Sequence, residues 1–236
     1  MAYLLDFSSI LTSGQEFVGN KAYNLAFLKD NLIDLSIPKS AVIPADIDVY
    51  DNNILEQIVI EISTQFEFPI ILRSSTTVED SKNSFAGLFE SSICRDSKDL
   101  IDCIHFIRNS ATTEQIESYC KMVGVNFNSI KTAILVQEYQ SADMSGVLFT
   151  KNPITNDESV VYTEYKENTS DAVTAGSQIP KSLTIDKKKT DNISFPFSEL
   201  VSFAIKAELL FGYPLDMEWI LSNNKLWFVQ VRRITT

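Results

Sequence analysis

The chain has 236 residues, 44% hydrophobic and 22% charged, with 31 Asp and Glu against 20 Lys and Arg for a net charge of -11. Such a length and composition fit a globular chain with a proper core, either one large domain or two lobes, and two lobes around a cleft is the expected arrangement. The acidic balance excludes a nucleic-acid partner, since phosphate backbones are gripped through clustered Lys and Arg, so any anionic ligand needs local basic residues.

In chain order, the opening MAYLLDFSSI has neither a basic region nor a long apolar run, and nowhere do about eighteen apolar residues stand together. No secretory signal or membrane span is predicted, and a cytoplasmic location is expected. Gly19 and Asn20 precede a helical pattern (Ala22, Leu25, Ala26, Leu28) that ends near Asp30, with Lys21 at its first turn. Residues 51–53 can cap a helix over Ile54–Phe66, and Pro69 opens a buried strand, Ile70–Arg73, that runs into the polar stretch RSSTTVEDSKNSFAG. Ser97 can cap a helix bearing Leu100, Ile101, Ile104 and Ile107, and Thr113–Met122 reads as another. From Lys131 the texture turns to strands: TAILVQEY, SGVLFT, SVVYTEY, a run at 181–185, DMEWIL and KLWFVQV, interrupted by one helix at Phe197–Leu210. A helix-rich first lobe, 1–130, and a sheet-based second lobe, 131–236, are therefore expected, joined near GVNFNSIK. Cys94, Cys103 and Cys120 stand apart without a CxxC pair and read as reduced, mostly buried thiols.

Several constellations could carry chemistry. Gly19-Asn20-Lys21 at a helix start places an ammonium beside backbone N–H groups and the positive end of a helix dipole, although a first-turn lysine is more often a solvated surface charge. Arg73 and the hydroxyl run after it, followed by Ser84-Phe85-Ala86-Gly87, could grip phosphate oxygens, the plainer reading being a Ser/Thr-rich turn after a strand. Gln137-Glu138-Tyr139 at a strand end could border an adenine through backbone groups. Gln230 and Arg232 alternate onto one face of their strand, and Glu218 stands in the strand before it. A carboxylate and an amide oxygen brought together make a hard-oxygen site for Mg2+, whereas an ordinary cross-strand polar pair would use the same residues. His105, the one histidine, lies in an amphipathic helical pattern and is expected to be a packed or surface residue rather than a phosphorylated one.

In order, these segments resemble the nucleotide-binding domain of the phosphoenolpyruvate synthase and pyruvate phosphate dikinase family. VGNKAYNLAFLKD is similar to the family's VGGKGANLAEL and IPKSAVIP to its VPPGFVI. LRSSTTVEDSKNSFAGLFES resembles VRSSA-x-x-ED with SFAG, AILVQEYQSADMSGVLFTKNP resembles VVVQ…SGVxFTxNP, and LDMEWILSNNKLWFVQVRRIT resembles QDIEW…LxxLQxRPIT. The resemblance implies an α+β, two-lobed ATP-grasp fold, a helix-rich N-terminal lobe and an antiparallel-sheet C-terminal lobe with ATP in the cleft. It implies that Lys21 and Arg73 contact phosphates, with Gly87 in the anion loop, and that Gln137, Glu138 and Tyr139 border the adenine. Glu218 and Gln230 would hold Mg2+ while Arg232 reaches the terminal phosphates. Relatives pass the β-phosphoryl group of ATP to a histidine on a separate domain, releasing AMP and phosphate.

The sequence departs from the family pattern at Asn20 and Ala22, where the family has glycines, in NTSDAVTAG, which keeps Asp171 and Gly176 but loses glycines, and at Arg233 in place of proline. Neither a phosphohistidine segment nor a pyruvate-binding barrel is found in these residues, so the acceptor is expected from another domain, a partner chain or a small molecule. The expected activity is an ATP- and Mg2+-dependent phosphotransferase; a non-catalytic nucleotide-binding module and an ATP-grasp ligase forming an acyl phosphate are the alternatives. One geometric condition follows. If Glu218, Gln230 and Arg232 share a metal, Glu218 must lie opposite an even-numbered residue of the last strand, which calls for an odd-length turn of three residues over 222–224 or 223–225. A two-residue Asn223-Asn224 turn without a bulge would pair Glu218 with Val229 and turn the carboxylate away from Gln230.

Overall fold

In the computed structural model, which describes residues 2–78, 88–167, 179–190 and 192–235, the chain falls into two units, Met1–Phe27 with Lys39–Tyr139 and Leu28–Pro38 with Gln140–Thr236. The division at Tyr139 lies later than the expected boundary near 130, because the strand between the two points is central to the first unit's sheet.

The first unit carries α1 (Phe7–Ser13), most of α2 (Gln15–Asn31, broken at Gly19), β1 (Ser40–Ile43), α3 (Asn52–Gln65), β2 (Ile70–Thr76), β3 (Ser91–Cys94), α4 (Leu100–Ser110), α5 (Glu114–Val123) and β4 (Thr132–Glu138). Its antiparallel sheet runs β1-β4-β2-β3. Asp51 starts α3 by accepting from Asn53 and Ile54 N–H, and Thr113 starts α5 by accepting from Ile116 N–H, both ordinary N-caps. Ser97 does not cap α4; Asp99 occupies that position and makes no side-chain cap bond. Apolar residues three or four apart, Leu55, Ile58 and Ile62 on α3 and Leu100, Ile104 and Ile107 on α4, form one core with Ala41, Ile43, Ile70, Leu72, Ile134 and Val136 of the sheet. Since strand side chains alternate, Ile71, Arg73 and Ser75 of β2 and Leu135 and Gln137 of β4 project to the other face.

The polar run after Arg73 is not a turn. Ser74, Ser75 and Thr76 continue β2 and are fully buried, because their backbone groups pair with Ile134, Ala133 and Thr132 and the Ser74 and Ser75 hydroxyls find partners. Strands β1 and β3 had no clear sequence signal of their own, β1 being a buried run of four and β3 an exposed edge.

The second unit holds β5 (Met144–Phe149), β6 (Val160–Glu167), β7 (Lys181–Asp186), α6 (Phe197–Phe211), β8 (Leu215–Ser222) and β9 (Lys225–Arg233), with antiparallel order β7-β6-β5-β8-β9. Helix α6 covers one face: Phe203 packs edge-on against Phe228, and Phe197 against Trp219. On that face Gly146 is required, since a Cβ there would lie 2.3 Å from the Glu164 carbonyl oxygen. All three cysteines are free and buried. Among the described residues no helix is long and apolar enough to cross a membrane.

Candidate functional site

In the first unit the helix start sits on the end of β2. Gly19 has φ +72°, and a Cβ there would fall 2.1 Å from the Ser75 carbonyl oxygen, so both the turn and the close approach need glycine. Beyond it, the Ser75 hydroxyl donates to Val18 O (2.7 Å) and accepts from Ala22 N–H (3.1 Å), while the Asn20 amide donates to Thr77 O (3.3 Å). Ser75 thus acts as a cap supplied from another strand, satisfying an N–H group that an isolated helix start would leave open. Lys21 is not a solvated surface charge: it is 5% exposed and its Nζ donates to Ser74 O at 2.9 Å.

Arg73, half-buried, lies on the sheet face away from the α3 and α4 core, opposite Leu135 and Ser91. Gln137 shares that face and is buried, its amide donating to the Ser40 hydroxyl at 3.0 Å. The alternation sends the Glu138 side chain to the opposite face, and its N–H donates to Lys39 O (2.9 Å); the Tyr139 N–H donates to Pro69 O (3.3 Å). Gly87, with residues 79–86 of the polar stretch, and Asp171 and Gly176 lie outside the described residues.

The last hairpin decides where the second group of residues projects. Its turn has two residues, Asn223 and Asn224 at φ 49° and 58°, not the expected three. Both central residues take positive φ, the primed turn that matches strand twist and that Asn tolerates. By itself this turn would have turned Glu218 away from Gln230. A bulge prevents it: Trp219 pairs with Phe228 but Glu218 pairs with Gln230, leaving Val229 as the extra residue. Glu218 and Gln230 are therefore directly opposite, on the face not covered by α6, with Asp216 opposite Arg232 one step along.

Arg232 is held by Asp216, its Nε at 2.8 Å and a terminal nitrogen at 2.6 Å from the same carboxylate oxygen. Burial pushes the Asp216 carboxyl above the usual carboxylate range, against the opposing pull of Arg232 and with a small further rise from Glu218. Sequence reasoning passed over Asp216. Its signal was there in DMEWIL, because a residue two before Glu218 on a strand must share its face. A carboxylate and an amide oxygen facing each other fit Mg2+, which accepts one or two protein oxygens and completes its shell with water and phosphate. Among the described residues no group of three or more His, Cys, Asp or Glu is placed to hold a metal.

His105 is a packing residue. It stacks on Tyr50 with ring centroids 5.1 Å apart, and its Nε2 lies 3.0 Å from Val49 O.

Two antiparallel sheets with their helices define an α+β chain of the ATP-grasp fold. In agreement, the N5-carboxyaminoimidazole synthase of Aspergillus clavatus, solved with ADP and an aminoimidazole ribonucleotide, matches 92% of this chain and 45% of its own at a TM-score of 0.51 and 12% identity. Residues 39–199 match the pyruvate phosphate dikinase, AMP/ATP-binding domain family, and the chain belongs to it. At the level of the family this is an AMP/ATP-binding domain. Relatives include the uncharacterized phosphotransferase YvkC of Bacillus subtilis, 23% identical over 71% of this chain and 24% of its own length. Another is the probable phosphoenolpyruvate synthase of Pyrococcus abyssi, 26% identical over 84% of this chain and 30% of its own. The chain spans under a third of the length of these curated relatives.

Proposed function

We propose that this chain is the nucleotide-binding part of an ATP- and Mg2+-dependent phosphotransferase of the dikinase kind, converting ATP to AMP and phosphate while a phosphoryl group passes to an acceptor outside these residues. The observation that carries the reading is the bulge at Val229, which returns Glu218 opposite Gln230 and sets Arg232 beside them despite a two-residue turn. A bulge interrupts a regular ladder, and such features recur where a side chain must be re-aimed.

Each residue then has a task. Glu218 and Gln230 hold Mg2+, which when bound neutralises charge on the phosphate oxygens. Arg232, kept in one orientation by Asp216, supplies positive charge for the terminal phosphates, as phosphoryl transfer depends mainly on positioning and charge stabilisation. Lys21 and Arg73 of the first unit serve the phosphate chain and Gln137 to Tyr139 border the adenine, while Gly87, which the family resemblance assigns to the anion loop, lies outside the described residues. The acceptor is a phosphohistidine domain, a partner chain or a small molecule, and the setting is cytoplasmic.

A second reading, a nucleotide-binding module without turnover, draws support from the helix start, where Ser75 already satisfies the Ala22 N–H that would otherwise face an anion. Incubation with ATP and Mg2+ followed by separation of AMP, ADP and phosphate distinguishes them. AMP with phosphate supports the dikinase reading, ADP a kinase or ligase, and binding without products the module.

A further inference from the structure

Strand β8 brings Asp216 and Glu218 to the proposed metal face, and its first residue is anchored from outside the sheet's ladder. Leu215 N–H donates to the Thr150 hydroxyl at 2.8 Å, and Thr150 N–H donates to Leu215 O at 2.8 Å. Thr150 is completely buried, just after β5, whose Phe149 lies opposite Asp216. Having accepted from Leu215, the hydroxyl has one proton left, and it donates this to Glu208 Oε1 at 3.0 Å. The other Glu208 oxygen pairs with Lys187 Nζ at 2.5 Å, in an ion pair whose side chains are 21% and 16% exposed.

Glu208 is in an unfavourable place for a carboxylate. It lies in the last turn of α6, its carbonyl accepting from the Gly212 N–H that closes the helix, where the dipole disfavours negative charge. The helix dipole does not favour a negative charge there, but the fixed hydroxyl and the lysine do. The chain Lys187–Glu208–Thr150–Leu215 draws on the residues after β7, on α6, on the end of β5 and on the start of β8, so it ties four separate segments to one backbone N–H.

We infer that Glu208, with Lys187 behind it and Thr150 in front, is a positioning residue for the Glu218–Gln230 metal face: it fixes the Thr150 hydroxyl, which sets the start of β8 and so the placement of Asp216 and Glu218. The inference rests on the reading of that face given above. Groups that orient metal-binding residues without touching the metal commonly change metal affinity by about ten- to a hundredfold when removed.

The test is calorimetric titration of ATP, with and without Mg2+, into wild type, Thr150→Val, Thr150→Ser, Glu208→Ala and Leu200→Ala. The last variant truncates a buried side chain of α6 and removes none of the hydrogen-bonding groups of the anchor, so it reports general loosening of the unit. Thr150→Val and Glu208→Ala are expected to weaken Mg2+-dependent ATP binding about tenfold or more, with metal-free ATP binding unchanged. Thr150→Ser, which keeps the hydroxyl, should restore it, and Leu200→Ala should lower thermal stability without changing the Mg2+ dependence. Should Glu208→Ala not fold, the Thr150→Val and Thr150→Ser pair decides. Wild-type Mg2+ dependence in Thr150→Val, or an equal loss in Leu200→Ala, overturns the positioning role alone. Absence of any Mg2+ effect on the wild type removes the metal face itself and the positioning role with it.

Discussion

Replacing Gly19 by alanine tests whether the start of α2 is built as tightly against β2 as its geometry says. At Gly19 φ is +72° and ψ 167°, an extended positive-φ conformation that is essentially glycine's alone, and holding an alanine there costs about 1–3 kcal/mol. The added Cβ would stand 2.1 Å from the Ser75 carbonyl oxygen, where real contacts essentially never fall below 3.0 Å, so helix and strand must separate by roughly 0.9 Å. The atom met is backbone, not the end of a flexible side chain, and overpacking of that kind adds about 1–3 kcal/mol. The two contributions give about 2–6 kcal/mol, and in a chain of this size each kcal/mol lowers the melting temperature by roughly 2–4 °C. Calorimetry should therefore find Gly19→Ala melting about 4–24 °C below wild type. The same displacement would pull Lys21 from Ser74 O, so ATP affinity should fall too. A melting temperature within about 2 °C of wild type would refute the close approach and the placement of Lys21 that depends on it.

Other outcomes follow from the remaining residues. Lys21→Ala and Arg73→Ala should each weaken ATP binding by on the order of 1.5–3 kcal/mol, the size of a lost charge-assisted contact, and unchanged calorimetric affinity in both would remove them from the site. Asp216 supplies a pH dependence with a defined sign. Its folded pKa is raised, so the folded chain holds the proton more tightly than the unfolded one, and stability falls as pH rises from the ordinary carboxylate range through the raised value. Asp216→Asn should therefore gain in melting temperature relative to wild type across that interval and hold the gain above it; a difference that is flat with pH contradicts the burial effect. The same variant removes the charge that orients Arg232 and should weaken ATP binding. His105 should carry no phosphate after incubation with ATP and Mg2+, and phosphohistidine found there by mass spectrometry at neutral pH would restore a self-contained mechanism.

Much of this was legible from residue patterns, and the failures have physical causes. Helices α3, α5 and α6 and the strands from β4 onward announce themselves by periodicity and caps, because local burial on one face is what those patterns encode. The extension of β2 through Ser74, Ser75 and Thr76 was hidden, since three hydroxyl residues look like a turn until their partners, Val18, Glu90 and the β4 backbone, are brought in from elsewhere. Lys21 was equally opaque: its burial comes from a carbonyl 53 residues away. In the last hairpin a shared metal required Glu218 and Gln230 to lie on one face, but the expected device, a three-residue turn, was the wrong one. Asn223 and Asn224 suit a two-residue turn as well as a longer one, and a bulge at Val229 has no local residue signature. Glu208 and Thr150 could not be paired by pattern, being joined only where α6 ends and β8 begins.

The central claim is that Glu218 and Gln230 form one Mg2+ site, and it is tested most directly by measuring ATP affinity with and without Mg2+ in wild type and in Glu218→Gln. Glutamine keeps the size and one oxygen of the side chain but removes the charge that a divalent cation needs. The account predicts that Mg2+ strengthens ATP binding to wild type and that this strengthening is largely lost in Glu218→Gln, with metal-free binding unaltered. Equal Mg2+ enhancement in both proteins would show that the metal is held elsewhere and would contradict the account.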